Sequence, residues 1–343
     1  MLWKILMAGA LGLGMAAGDF AAGPPLGDGP VREIDVQTKP VPLHRHDPNV
    51  TRIGRLKYMG GLILKSSDRQ FGGLSSLLWE KECGRLLSAS DTGVFAAIEP
   101  EENEDGHLQG VRAAWLSPII DEGGAPARIK NRADAESLSL DGEDVLLWFE
   151  MVPRVQRYPG LSACRPETLR TTPTETIRIP EMLRWPSNGG AEAAANIAGK
   201  QIVIAEEQEV GKNGREGLII DGDTKRHFIY TTPDGHVPTA MDAIDPEGKA
   251  SQQLLVLNRK VSLLKGLTAI VAEITLPEEE GAIVEPGIIA RFAAPYAVDN
   301  MEGLAVRTEG DRHFVYLVSD DNFFWMQRTL LLKFELLPED LQE

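Results

Sequence analysis

Cations, cysteines, histidines and aromatic residues are all scarce in this 343-residue chain. Lys and Arg number 35 against 51 Asp and Glu, a formal net charge of −16. Phosphate backbones are held by clustered Lys and Arg, so this balance argues against nucleic acid as a partner and leaves room for bound cations. Cys83 and Cys164 are the only thiols, too few to make a structural zinc site by themselves. The six histidines, His44, His46, His107, His227, His236 and His313, show no triad spacing and read as surface or loop residues. No G-x-S-x-G elbow is present, so a serine esterase of the α/β-hydrolase kind has no support. A P-loop and a dinucleotide fingerprint are absent as well. Helical periodicity is weak throughout.

What the chain does have in quantity is turn formers, 34 Gly and 22 Pro, which favour many short strands over long helices. Its one long apolar run, Ile5 to Ala17, follows Lys4 and precedes small residues. That is the layout of a secretory signal over residues 1–23, too short to span a bilayer. We therefore expect a periplasmic or secreted protein with no membrane association after cleavage. Residues 24–50 are rich in Pro and charge and should drape over the domain as an extended lead-in.

An internal repeat organises residues 51–338. Five segments, at 72–91, 134–150, 189–207, 239–259 and 299–321, share one plan: a small or acidic start, a short apolar run, a turn, and a second apolar run ending in polar residues. Each reads as a hairpin, and two more strand-like runs follow most of them. Four strands per unit of about 50–60 residues, repeated radially, is a β-propeller. The fold class is thus all-β, a propeller of five or six four-stranded blades. The N-terminal runs TRIGRLKY and GLILKS, within 51–66, and the C-terminal run TLLLKFEL should close the ring and remove its free edges.

The repeat carries acids in register. Ser75, Glu136, Glu192, Asp242 and Glu302 are the key polar residues at the starts of the inner strands, 50 to 61 residues apart. Asp91, Glu150, Glu206, Arg259 and Asp320, with Asp321 beside it, end the second strands. In an antiparallel hairpin those two places lie side by side, so all should converge on one mouth of the central channel. Crowded carboxylates must hold protons or cations, and oxygen donors of this kind suit Ca²⁺ or Mg²⁺. The expected metal-holding set is Asp91, Glu136, Glu150, Glu192, Glu206, Asp242 and Asp321. Arg259 should neutralise part of the ring, with Arg154, Arg328 and Asn322 reaching the rim to meet substrate. Cys83, in the first hairpin's turn, and Cys164, in a long insertion of the second unit, should emerge from adjacent blades on the opposite face and form a disulfide.

These residues carry a resemblance. GGLSSL with SASDTG, DAESLSL, GGAEA, and above all DNMEGLAV followed by LVSDDNFFWMQRTLLLKFEL, are similar to the phytase-like family of bacterial exported proteins, named for an esterase-like activity of phytase. The resemblance spans residues 53 to 336 and is most specific from Asp299 to Phe334. It implies a β-propeller and a hydrolase. Propeller phytases have a calcium-filled acidic mouth with added cations for phosphates; the few cations here imply that bridging Ca²⁺ takes over that task. The expected function is metal-dependent hydrolysis of a small-molecule phosphate or other ester by a monomer, with Glu302 or Asp320 as the base. The alternative is a non-catalytic propeller that binds a ligand or partner at the same mouth.

Overall fold

A computed structural model describes residues 26–339 apart from 128, 250 and 263; the expected secretory segment lies outside the described residues. Two short strands of the lead-in come first, β1 (Arg32–Ile34) and β2 (Val36–Pro40), then β3 (Arg52–Ile53) and β4 (Leu56–Ser66). Blade 1 follows as β5 (Leu78–Glu80), β6 (Arg85–Ser90), β7 (Val94–Glu102) and β8 (Leu108–Pro118). Blade 2 is β9 (Ala135–Asp141), β10 (Asp144–Phe149), β11 (Arg154–Tyr158) and β12 (Glu175–Ile177). Blade 3 is β13 (Ala191–Ile197), β14 (Lys200–Val210), β15 (Gly214–Asp221) and β16 (Thr224–Thr231). Blade 4 opens with β17 (Val237–Ala243), β18 (Gln253–Ser262) and β19 (Gly266–Thr275). Then β20 (Ala282–Val284) crosses to pair in parallel with β16, before β21 (Gly287–Phe292) completes blade 4. Blade 5 is β22 (Asn300–Glu309), β23 (Arg312–Asp320) and β24 (Thr329–Leu336), with β4 as its fourth strand.

Among the described residues the sheets number five, which settles the blade number left open by the sequence. Both ends of the chain meet in blade 5, where β4 pairs antiparallel with β24. The lead-in does more than drape. Its β1 extends blade 1 along β8, while β2 extends blade 5 along β4, so it straddles the junction of these two blades.

Each second strand reads as an unbroken apolar run because both of its faces are covered. In β10, Val145, Leu147 and Phe149 pack with Leu87 and Phe95 of blade 1, whereas Leu146 and Trp148 pack with Val203 and Leu218 of blade 3. In β18, Leu254 and Val256 turn to Ile202 and Phe228 of blade 3, and Leu255 and Leu257 to Leu304 and Leu317 of blade 5. On β23, Tyr316 and Val318 meet Leu86 and Val94 of blade 1. Alternate residues of a strand point to opposite faces, so one strand serves two inter-blade cores. Every blade therefore packs on two neighbours.

On the face away from the ends of the second strands, Cys83 in the β5–β6 turn is disulfide-bonded to Cys164 in the β11–β12 connection, across a sequence separation of 81. The Glu80 carboxylate reinforces this tie by accepting the Ala163 N–H at 2.6 Å and the Ser162 hydroxyl. Closing a loop of this length removes denatured-state entropy worth roughly 4 kcal/mol in the chain-entropy view. A Cys83→Ser/Cys164→Ser double variant should lose about 2–4 kcal/mol in a denaturant melt. An unchanged midpoint would mean that the Glu80-anchored loop holds blades 1 and 2 together unaided.

Candidate functional site

The mouth is built in two tiers. The first is the end of each second strand: Asp91, Glu150, Glu206, Arg259 and Asp320. Asp91, Glu150 and Glu206 donate their N–H groups to the carbonyls of Gly73, Asp134 and Gly190, while Arg259 pairs with Val237 and Asp320 with Asn300. The five side chains thus share one register. The second tier comes from a β-bulge near the start of each inner strand, an extra residue that re-aims its side chain. Pairing skips Glu136 in blade 2, Glu192 in blade 3, Thr239 in blade 4 and Glu302 in blade 5. In blade 1, the Leu74–Ser90 and Leu78–Leu87 pairs likewise leave one residue over, and Ser75 sits there. Where the bulge residue is not an acid it staples the next blade. Ser75 Oγ donates to the Ala135 carbonyl at 2.6 Å, and Thr239 Oγ1 to the Met301 carbonyl at 3.0 Å. Both acceptors immediately precede the next bulge residue.

Blade 4 therefore departs from the sequence expectation by three residues. Thr239 holds the bulge, and Asp242 stands apart between blades 4 and 5. There its carboxylate accepts the Ala243 N–H at 2.8 Å and the Val306 N–H at 2.7 Å. Burial lifts its pKa to about 7, with these two backbone bonds opposing. Arg154 is also removed from the acids. Its guanidinium lies 3.6 Å from the Phe149 ring centre and donates to the carbonyls of Val152 and Arg132; burial lowers its pKa to about 10. Arg328 is bound to Asp299 at 3.0 Å and to the Val298 carbonyl. The disulfide lies at the far end of the blades.

The remaining acids do gather. Burial first, then the carboxylates of Asp134, Glu150, Glu302 and Asp91, hold the Glu136 pKa well above its ordinary value. Glu192 is raised the same way by burial and then by Glu206, Glu150 and Glu136. Burial and like charge raise Asp320 and Asp91 too, and lift Glu150 to about 7. Glu302 also reaches about 7, because burial outweighs the attraction of Arg259. Arg259 bridges the ring, donating to Glu302 Oε1 at 2.6 Å, Asn300 Oδ1 at 2.6 Å and Glu206 Oε1 at 2.8 Å. A second cation, Lys130, comes from a helical turn (Lys130–Ala133) in the link between blades 1 and 2. Its Nζ donates to Asp91 Oδ2 at 2.6 Å and Asp134 Oδ1 at 2.5 Å.

Asp321 belongs to the wall of the mouth. It accepts the N–H groups of Gly73 and Phe323, each at 3.1 Å, and the Thr329 hydroxyl. Asn322 donates its N–H to Asp320 Oδ1 at 2.6 Å, while its Nδ2 is buried without a hydrogen-bond partner. The Phe323 ring and Asp91 press on Gly73, where a Cβ would lie 2.8 Å from the ring and 2.5 Å from Asp91 Oδ1 at a φ of +62°. Only glycine fits there.

An oxygen-donor cation fits one sector. Asp134, Glu136 and Glu150 each offer an oxygen within 4.8 Å of the others, and Asp91 Oδ1 nearby is buried with no hydrogen-bond partner. Sequence reasoning missed Asp134, Asn300, Thr239 and Lys130. The first two were signalled, since both stand two residues before a bulge glutamate. Lys130 lies in a connection that no repeat marks.

A family model described as phytase-like, esterase-like activity of phytase, matches residues 69–323. The chain belongs to the phytase-like family. Among curated proteins none matches the sequence. Solved structures similar to this phytase-like chain include a proposed oxidoreductase (glucose dehydrogenase) from Thermus thermophilus, with 11% identity, 76% of this chain and 97% of that one covered, and a TM-score of 0.39. A nidogen/laminin complex follows at 8% identity, 78% and 87% coverage and a TM-score of 0.37. The major Malassezia sympodialis allergen Mala s 1 shows 9% identity, 82% and 77% coverage and a TM-score of 0.36. These likenesses say nothing about the chemistry of the mouth.

The raised acids make stability depend on pH. Glu150 and Glu302 hold their protons to higher pH in the folded protein than in the unfolded chain, so the stability they contribute is complete below about 4.5 and is lost as pH rises through about 7. One group moved from 4.5 to about 7 accounts for on the order of 3 kcal/mol. Cation-free protein should thus melt at lower temperature at pH 8 than at pH 5, and Glu302→Gln should shrink the difference. Equal melting temperatures at the two pH values would show that the carboxylates are charged throughout.

Proposed function

We propose that this phytase-like propeller is an exported, metal-dependent hydrolase of phosphate or other esters that works at its acidic mouth. The observation carrying this reading is the oxygen cluster of Asp134, Glu136 and Glu150 beside the unpartnered Asp91 Oδ1. These residues would hold a Ca²⁺ or Mg²⁺ ion, with Glu192, Glu206 and Asp321 in the surrounding wall. Such an ion supplies a Lewis acid that draws in an ester oxygen which bare carboxylates would repel.

The chain's own residues divide the proton work. Glu302, at about 7, is poised to take a proton from attacking water near neutral pH. Arg259 and Asn300 both bond its Oε1, which fixes the carboxylate in one orientation. Asp320 keeps its proton to higher pH than an ordinary aspartate because it is buried beside Glu302 and Asp91, so it is suited to protonate the leaving oxygen. Two neighbouring acids whose protons are held this tightly by burial are candidates for general acid–base work. Arg328 is 39% exposed but already paired with Asp299, and the Asn322 Nδ2 is buried, so neither is free to hold the rest of the substrate. Export is supported by the N-terminal sequence pattern and by the disulfide, which suits an oxidising compartment.

A second reading has its own observation. Arg259 and Lys130 already bond the acids directly, so the mouth could serve a non-catalytic binding propeller. Hydrolysis of p-nitrophenyl phosphate and p-nitrophenyl acetate, each with Ca²⁺ and with chelator, separates the two. Ca²⁺-dependent turnover that falls about a hundredfold in Glu302→Gln is expected. Absence of turnover, with a melting temperature that still rises with Ca²⁺, would favour the binding propeller.

A further inference from the structure

Lys130 is placed unlike any other cation of the mouth. Its ammonium has three N–H groups, and the structure gives it three acceptors: Asp91 Oδ2 at 2.6 Å, the Asp91 carbonyl at 2.9 Å and Asp134 Oδ1 at 2.5 Å. Asp134 is also one of the three residues whose oxygens converge as cation donors. The same buried carboxylate thus faces both the ammonium and the place a divalent ion would take. Arg259 is bonded at both ends of its fork and only 16% exposed, whereas the Lys130 side chain is 42% exposed. It stands on a flexible four-carbon stem, at the edge of the mouth.

We propose that Lys130 is a resident counter-cation of the mouth: a divalent ion entering beside Asp134 displaces its ammonium, and the released ammonium then grips the anionic group of the substrate. This rests on the reading that the mouth takes up a divalent ion. The electrostatics run in one direction. A dication brings twice the charge to Asp134 and can engage Glu136 and Glu150 at the same time, which one ammonium at its present bonds does not. Once Asp134 is shared with the ion, Lys130 loses half of its carboxylate contacts, and its exposed side chain is free to turn to an anion. Arg154 and Arg328 are committed to backbone carbonyls or to Asp299, so Lys130 is the mouth cation best placed for this. Ion and lysine are then rivals for the carboxylate but allies toward the substrate.

The test is calorimetric titration of the purified protein with Ca²⁺ alone, and then with inorganic phosphate at saturating Ca²⁺. Lys130→Met should bind Ca²⁺ about fivefold more tightly, because a competing charge is gone, yet bind phosphate about tenfold more weakly. Lys130→Arg, which keeps the charge, should match the wild type in both titrations. Should circular dichroism show Lys130→Met unfolded, Lys130→Gln takes its place, with an amide that still bonds the carboxylates. Unchanged or weaker Ca²⁺ binding in the neutral variant overturns displacement, and unchanged phosphate binding overturns the grip. Either result leaves the metal-dependent reading standing. Wild-type protein that binds no Ca²⁺ overturns both.

Discussion

Radial repetition of one hairpin brings whatever stands at a given register to a single point, and in this chain that register carries carboxylates. The consequence is a steep electrostatic problem at the centre of the ring. Glu136, Glu192, Glu302 and Asp320 all lie in low-dielectric surroundings and within reach of one another's charge. Every other feature of the mouth answers that problem. Arg259 replaces an acid at the end of β18 and binds the two flanking glutamates; Lys130 is delivered by a link between blades. Backbone N–H groups of Gly73, Phe323 and Asn322 turn toward Asp320 and Asp321, and protons are retained where these do not suffice. A chain selected for stability alone would place apolar residues here, as it does with buried Phe149 and Ala205 just before Glu150 and Glu206. The persistence of the acids in a costly position is the physical reason to regard this end of the channel as the working end.

The bulges give that end its shape. A regular strand points alternate side chains toward its two neighbouring blades, both of which are apolar. One inserted residue per inner strand breaks that alternation just where the channel opens, so a polar side chain is released from the inter-blade cores. Ser75 and Thr239 use the freedom to bond the next blade, and the glutamates use it to join the cluster. Serine and threonine are short and bond locally; glutamate is long enough to reach inward. The same backbone device therefore yields a structural staple or a functional group, depending on side-chain length.

Much of this was legible in the sequence. The second-strand ends, Asp91, Glu150, Glu206, Arg259 and Asp320, follow each apolar run with at most one polar residue between, and a run buried on both faces is hard to misplace. The bulge register was harder. Asp242 looked like the missing acid of blade 4 because it is acidic and lies in an inner strand, whereas Thr239, three residues earlier, is chemically inconspicuous. Bulges shift register by one residue without any composition signal, so the polar residue nearest the expected spacing is not always the one released. The cations were harder still. Arg154 follows a second-strand end in sequence, yet stacking on Phe149 turns it away, and Lys130 lies in an irregular connection outside the repeat. The strand ends fixed by the repeat were readable, as was the disulfide between two loops, whereas the blade 4 bulge and the cations set by local packing were not.

The departures from fivefold symmetry polarise the mouth. Blades 3, 4 and 5 contribute Glu206, Arg259 and Glu302, an acid–base–acid bridge in which the guanidinium is fully engaged, with Glu192 and Asp320 in the same cluster. Blades 1 and 2 contribute Asp91, Asp134, Glu136 and Glu150, faced by the half-exposed Lys130 and, at Glu150, by the N–H groups of Gly189 and Gly190. A cation arriving from solvent therefore meets one sector cross-linked by a buried guanidinium and another in which oxygens of Asp134, Glu136 and Glu150 already converge. The guanidinium bridge keeps Glu302 and Asn300 in place on one side while the acids of blades 1 and 2 stay available on the other. Repetition concentrates the charge, and one arginine in place of an acid decides which part of it remains open to a ligand.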